Sequence, residues 1–389
     1  MSAIEPTPSA DADLVATSVA FGAWLAQHRT QLEPFRHEYA ESLDEAVARF
    51  RPLQQMLWDD GWNRLGWPVE VGGLGGTALH RFVAMEELAA AGYVNPEILG
   101  SVEIIAPMLV RFAPSLAAQH VGAAMRGDEV WCQGFSEPDA GSDLGSLRTR
   151  AVAVDGGFTV SGQKMWSSNG HLASWCCLLA RTGAPDSGYR GLTMFWIDLS
   201  SPGVRVVPTM LESGRADTSE IFLDDAFVPD DHLIGALGEG WAVVMYLMQF
   251  ERGAYAWGRQ ADLHTQLDRL IADHHETLPA DAEGVVGEAY LSLLAVRAVG
   301  AATIAELAAG TELGPKISID KILLSTAEQT ITEAARKLLS PRVELADDDE
   351  AELWRSRWSF SRITTIYGGA AEVQRDLVAE RLLGLPRGR

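Results

Sequence analysis

The stretch "GWAVVMYLMQFERGAYAWGR" places a carboxylate, Glu251, in an otherwise oily segment. Trp241 to Phe250 are apolar except for Gln249, and Ala254 to Trp257 restore that character after Arg252. Such a run reads as one long helix. A carboxylate walled by Met245, Tyr246, Leu247 and Met248 and closed off by a ligand is partly desolvated, which raises its pKa toward working pH and suits a general base. Side chains at i and i+1 point about 100° apart, so Arg252 need not neutralise it and is free for a substrate or cofactor. The plainer reading is a Glu251 ion pair between helices.

Two further segments carry chemistry. "WCQGFSEPDAGSDLGSLRT" gathers Ser136, Gly141, Ser142 and Gly145 in one loop, where backbone N–H groups can approach a ligand closely. In "VSGQKMWSSNG", Trp166 is followed by Ser167, Ser168 and Asn169, a flat ring beside hydrogen-bonding groups. A planar heterocycle needs that combination of a stacking face and polar edge partners. Taken singly, each segment also fits a polar surface loop or a core tryptophan.

Other motifs carry less. "GLGGTA" (Gly73 to Ala78) matches a dinucleotide fingerprint, but Pro68 spoils the strand that should precede it and no alternating βα pattern follows. A tight glycine turn is the better reading. "SGQK" lacks the companion elements of a serine acylase. The nine histidines show no metal-ligand spacing. Cys132, Cys176 and Cys177 read as buried, reduced thiols of a cytoplasmic protein.

Three textures must position these residues. Helical periodicity runs from about Asp11 to Gly127, with Thr77 as an N-cap. Short strands between Gly, Pro and Ser breaks follow from about Glu129 to Asp231. Helices return from Gly238 in three long segments and a short last one, "AAEVQRDLVAERLLGL". "ADDDEAE" reads as a solvated loop. The order α, β, α predicts a bundle, a small sheet domain and a second bundle.

Composition is that of an ordinary globular chain, 47% apolar and 22% charged in 389 residues. A formal charge of −22 argues against nucleic acid or an anionic membrane as partner. The N-terminus is acidic, with no basic residue before Arg29, and does not read as a targeting signal. No apolar run approaches the ~18 residues of a membrane helix. The expectation is a soluble, cytoplasmic protein.

The quoted segments, together with "GWPVEVGGLGG", "VPDDHLIGALGEGW" and "IYGGAAEVQRDLVAERLLGLP", resemble the acyl-CoA dehydrogenase family in the family's own order. The resemblance implies an α+β fold with an N-terminal helical domain (1–128), a middle β domain (129–236) and a C-terminal four-helix bundle (237–389). It implies FAD as cofactor, lined by Gln133, Gly134, Phe135, Ser136, Gly141 and Ser142. Trp166 would stack on the flavin, with Ser167 and Ser168 at its edge. Gly368, Gly369, Ala370 and Glu372 would close over it.

The implied reaction is α,β-dehydrogenation of an acyl-CoA. A carboxylate takes the α-proton, the β-hydrogen leaves as hydride to the flavin, and the backbone N–H of Gly368 polarises the thioester carbonyl. Ser142, Arg252, Tyr367 and Gly368 would contact substrate. The implied partners are an electron-transfer flavoprotein or similar acceptor, and a second copy of the chain or a related chain. No metal is implied.

This chain departs from the commonest family pattern. Many members carry the base directly after the tyrosine of the last motif, where this chain has Gly368. Members resembling the isovaleryl-CoA and long-chain enzymes carry it immediately before an arginine, which is the place of Glu251. The R-x-x-F-G segment that reaches a neighbouring subunit's FAD is absent from "DRLIADHHETLPADAEG". The G-G-x-G run is replaced by "LSPRVELADDDEAE", and Ala370 stands where threonine is common. Two other readings follow: a partner subunit that binds no flavin of its own, and a flavin oxidation of a carrier-protein thioester or a nitroalkane. Gly368 leaves room for a branched or bulky acyl group. Trp354, Trp358 and Phe360 form an aromatic cluster that core packing or the pocket could use.

Overall fold

The computed structural model describes residues 10–36, 42–93 and 97–387. The described chain opens with α1 (Ala10–Gln27), the one-turn α2 (Arg29–Leu32), α3 (Leu43–Asp59), α4 (Ala78–Ala90), α5 (Glu97–Phe112) and α6 (Pro114–Arg126). Strands follow: β1 (Trp131–Gly134), β2 (Arg150–Val154), β3 (Gly157–Ser168), β4 (Trp175–Arg181), β5 (Leu192–Asp198), β6 (Val204–Thr209), β7 (Thr218–Pro229) and β8 (Leu233–Ile234). The remainder is helical: α7 (Gly240–Arg252), α8 (Ala254–His274), α9 (Ala282–Ala308), α10 (Ser318–Leu338), the one-turn α11 (Arg342–Leu345), α12 (Asp349–Ile363) and α13 (Ala371–Leu377). The α, β, α order read from the sequence is the order observed.

The strands form one mixed sheet in the order β6-β7-β3-β2-β4-β5-β8, with β1 pairing parallel to β4. β3 and β7 pair antiparallel along most of their lengths, and the register shifts between Lys164 and Ser167. That irregularity bends β3 at Trp166, which takes the left-handed φ of +60°.

The glycine turn in the N-terminal segment is as expected. Gly66, Gly72, Gly75 and Gly76 have positive φ, and a Cβ on Gly73 would fall 2.1 Å from the carbonyl oxygen of Trp67. Thr77 N-caps α4, its N–H donating to Nδ1 of His80 at 3.1 Å.

Four expectations need correction. The long helix from Gly240 is two helices that meet at Gly253. A Cβ there would strike the Gln249 carbonyl at 2.8 Å and side chains of Thr303 and Leu307 at 3.0 Å, so the close approach of α9 demands glycine at the joint. The acidic run is not all loop: Asp348 N-caps α12 by accepting from the Ala351 N–H at 3.0 Å, and Asp349, Glu350 and Glu352 occupy a first turn where negative charge suits the helix dipole. The rest of α12 is a helix the periodicity leaves unassigned. Finally, α9 is long and apolar enough to cross a membrane by length and composition alone. Counting uninterrupted apolar runs misses it because Arg297 divides the segment. Ala289, Leu293 and Val296 of α9 lie in the core of the C-terminal bundle.

α7 is placed by its buried face. Val243, Val244 and Leu247 pack into a core shared with Ile105, Met108 and Leu109 of α5 and with Trp196 of β5. Burying each such aliphatic side chain contributes roughly 1.5–3 kcal/mol. Glu251 follows Leu247 by four residues, so the same face carries it toward the interior.

Candidate functional site

Glu251 is the penultimate residue of α7, two before the joint at Gly253. Its partner in space is the turn after α12. A Cβ built on Gly368 would lie 2.8 Å from Glu251 Oε1 and 3.7 Å from Cε of Lys321. Gly368 and Gly369 have φ of +63° and +104°, where a side chain costs strain. Backbone conformation thus calls for glycine at 368, and a side chain there would also displace the Glu251 carboxylate. Glu251 Oε2 is buried and has no hydrogen-bond partner among the described residues.

Two cations clamp this turn. Arg252 Nε donates to the Gly368 carbonyl at 2.8 Å. Lys321 Nζ donates to the Thr364 carbonyl at 2.6 Å and sits 3.8 Å from the centre of the Tyr367 ring. Burial lowers the Lys321 pKa to about 8, against the opposing charges of Glu251 and Glu328. Burial likewise lowers the pKa of Arg252, with the charge of Glu251 opposing it. From the other side Ser318 Oγ donates to Oε1 of Gln374 at 2.8 Å, and Nε2 of that amide closes on Gly369.

Behind the turn, Arg259 and the wholly buried Glu328 form an ion pair at 2.5 Å. Burial pulls the Arg259 pKa down, but the charge and hydrogen bond of Glu328 together with Tyr255 and Asp262 push it well above its usual value. Tyr367 is pushed well above 10 by burial and then by Tyr255 and Glu328. Its Oη and Oε2 of Glu328 have no hydrogen-bond partner of normal geometry among the described residues.

The sheet side is built differently. Ser136 accepts from the Met165 N–H at 3.0 Å, tying the loop after β1 to the strand that bears Trp166. Lys164, wholly buried, donates to Glu137 Oε1 at 2.8 Å and to the Phe135 carbonyl at 3.0 Å. Glu137 also accepts from the N–H groups of Arg148 at 2.6 Å and Thr149 at 2.8 Å. Burial alone would raise the Glu137 pKa; the Lys164 charge and these hydrogen bonds hold it below the usual carboxylate value. Burial lowers Lys164 to about 8 despite Glu137.

That network presents Trp166 outward, 55% exposed, with Ser168 exposed beside it. A strained φ on a large exposed ring marks a site where geometry serves a ligand. Gly141 and Ser142 are exposed, and Gln133 and Ser136 half-buried. Gly134 packs inward, where a Cβ would meet Leu178 and Cys176. Phe135 and Ser167 are buried, and Ser167 Oγ has no hydrogen-bond partner among the described residues. Gly369 and Ala370 are half-buried, and Glu372 is exposed in the first turn of α13. Glu251, Arg252, Tyr367 and Gly368 converge on one cluster.

The sequence reading missed Lys321 and the Glu137–Lys164 pair. Lys164 had a signal: it shares strand parity with the inward Phe158 and Val160, where a cation needs a buried partner. Lys321, on a helix of mixed character, had none.

The chain thus runs bundle, mixed sheet, second bundle, with a carboxylate-bearing helix end set against a double-glycine turn. The comparisons agree. The family profile for the acyl-CoA dehydrogenase N-terminal domain matches residues 26–121, that for the middle domain 132–226 and that for the C-terminal domain 238–383. Acyl-CoA dehydrogenase IpdE1 of Mycobacterium tuberculosis is 35% identical over 347 residues, covering 88% of this chain and 90% of that protein. Among solved structures, the ChsE4-ChsE5 complex from Mycobacterium tuberculosis aligns with a TM-score of 0.79 at 25% identity over the full length of both chains. The Tcur3481-Tcur3483 steroid ACAD does so with 0.82 at 22% identity, again over both whole chains. The chain belongs to the acyl-CoA dehydrogenase family, flavoprotein oxidoreductases that act on CH–CH bonds.

Proposed function

We propose that this chain catalyses FAD-dependent α,β-dehydrogenation of an acyl-CoA to the trans-2-enoyl-CoA. The carrying observation is the contact between Glu251 and Gly368. Oε1 of Glu251 faces the turn whose N–H would meet the thioester carbonyl, and Oε2 of the same carboxylate is buried with no hydrogen-bond partner among the described residues.

In this reading Glu251 removes the α-proton. A backbone N–H aimed at the carbonyl oxygen stabilises the charge that develops there, and such a donor acts most strongly in the transition state. Arg252 and Lys321 hold the turn that carries the donor. Arg252 acts on the loop rather than as a free substrate contact, with Tyr367 packed under Lys321. Ser142 remains the candidate substrate contact from the sheet side.

The residues present fit FAD: an outward flat ring at Trp166, the exposed Ser168, the open Gly141–Ser142 loop, and the Gly369–Ala370 turn with Glu372 beyond. FAD, when bound, would accept the β-hydrogen as hydride. The chain's part is to orient the α-carbon toward Glu251, exclude water and receive the proton. An electron-transfer flavoprotein or similar acceptor would reoxidise the enzyme. The division into 1–128, 129–236 and 237–389 belongs to the same reading, as does assembly into a dimer or tetramer.

Purification tests this directly. Yellow protein whose flavin absorbance bleaches with an acyl-CoA under anaerobic conditions supports the reading; flavin-loaded protein that no acyl-CoA reduces contradicts it. The absent R-x-x-F-G segment favours a second reading, in which a related chain completes the FAD site. Two solved relatives are named as two-chain assemblies. Colourless protein that takes up flavin only with such a chain supports this version.

A further inference from the structure

The helix end that carries Glu251 is held from behind. Gln249 and Gly253 stand four apart and share one face of that end; Glu251, two residues from each, points about 200° away from both. The rear face is docked on either side of Glu251. Oε1 of Gln249 accepts from the Leu313 N–H at 2.6 Å. Gly253 lies against Thr303 of α9, whose methyl would be 3.0 Å from a Cβ at the joint. The aim of the carboxylate therefore depends on Thr303 keeping its methyl there.

Thr303 is buried and donates through Oγ1 to Oδ2 of Asp320 at 3.0 Å. A helical threonine divides between two rotamers, because its hydroxyl can instead return to a carbonyl of its own helix. An acceptor on α10 selects the rotamer that leaves the methyl facing Gly253.

Asp320 is an anomaly in its own right. It is buried in the first turn of α10. A negative charge suits a helix N-terminus equally well from the surface, so burying it costs desolvation that the helix does not require. Burial raises its pKa to about 6, with the hydrogen bonds from Thr303 and its own N–H and the charge of Lys316 opposing and Glu306 adding. Thr303 supplies the side-chain hydrogen bond that offsets the cost, while Oδ1 has no partner among the described residues. The next residue, Lys321, holds the Gly368 turn through the Thr364 carbonyl. One turn of α10 thus reaches both halves of the cluster, the Glu251 joint through Asp320 and the double-glycine turn through Lys321.

Resting on the dehydrogenase reading above, we propose that Asp320 is a positioning residue for proton removal, fixing the direction of Glu251 through the Thr303 methyl at Gly253. Four variants separate aim from stability. Thr303→Ser keeps the hydroxyl for Asp320 and deletes the methyl at the joint. Thr303→Val keeps the methyl and deprives Asp320 of its side-chain donor. Asp320→Asn keeps an oxygen acceptor, and Asp320→Ala removes it.

Flavin-loaded protein, with its partner chain if one is needed, is assayed at pH 7.5 for anaerobic flavin bleaching by an accepted acyl-CoA, for acyl-CoA Kd and for the denaturant midpoint. Thr303→Ser and Asp320→Ala should slow bleaching roughly tenfold or more at unchanged Kd, since a small misplacement of reacting groups is costly. Asp320→Asn should recover most of the rate. Thr303→Val should be the less stable of the two threonine variants and the faster, whereas a merely structural hydrogen bond would make rate follow stability. Wild-type bleaching in both Thr303→Ser and Asp320→Ala overturns the proposal, as does a Thr303→Val slower than Thr303→Ser. If no acyl-CoA bleaches the wild type, the dehydrogenase reading fails and amide hydrogen exchange across residues 247–257 decides the joint. Faster exchange in Thr303→Ser and Asp320→Ala than in Asp320→Asn then sustains the link from Asp320 to Gly253, and equal exchange in all three overturns it.

Discussion

The sheet side and the helical side of the site are finished to different degrees. On the sheet side, Glu137 receives Lys164 and two backbone N–H groups, and Lys164 spends a second hydrogen bond on Phe135. On the helical side Glu251 and Glu328 each keep a buried oxygen without a hydrogen-bond partner among the described residues. A satisfied buried network holds a scaffold in one arrangement, whereas unpartnered buried oxygens mark places that a ligand, or a proton, is to complete. On the proposed reading, the contrast separates the part of the molecule that presents a flat surface from the part that reacts.

The largest effect expected from breaking this contrast is on the scaffold. Lys164→Ala strands a buried carboxylate and should cost about 3–5 kcal/mol in a denaturant titration, with loss of flavin retention. Replacing a neutral group on the helical side should cost far less. Tyr367→Phe removes one neutral hydroxyl, beside that of Tyr255, and should change stability by about 1 kcal/mol.

Gly368→Ala sharpens the comparison from the other direction. It adds a methyl 2.8 Å from Glu251 Oε1 at a φ of +63°. The strain is of order 1–3 kcal/mol. Turnover should fall roughly tenfold or more, because a small misplacement of reacting groups is costly. Unaltered steady-state turnover would mean that the turn is not part of the reacting centre.

A further effect concerns Lys321. Its folded pKa is lowered to about 8 by burial, beneath the unfolded value of roughly 10.4. Between those values the unfolded chain binds more protons, so this residue makes stability rise with pH from about 8 to about 10.4, by at most about 1.4 kcal/mol per unit. Lys321→Met should remove that rise. Chemical denaturation at pH 7.5 and 9.5 reads the difference, and identical pH dependence in the two proteins would contradict the assignment.

How much of this was legible in the sequence follows from which forces each feature obeys. Strand alternation, the glycine turn at Gly66–Gly76 and the cap at Thr77 are local and were readable. So was the anomaly of Glu251 in an apolar run. The break at Gly253 was not, because it answers to Thr303 and Leu307 some fifty residues away. α12 was hidden by its charge, which its N-cap and helix dipole turn to advantage.

The account turns on Glu251 as the group that takes the α-proton. Its most direct test is the rate of anaerobic flavin bleaching by an accepted acyl-CoA in Glu251→Gln, with flavin content measured alongside. The account predicts full flavin occupancy and bleaching slowed by on the order of 10²-fold or more. Bleaching at the wild-type rate in a fully loaded variant would contradict it.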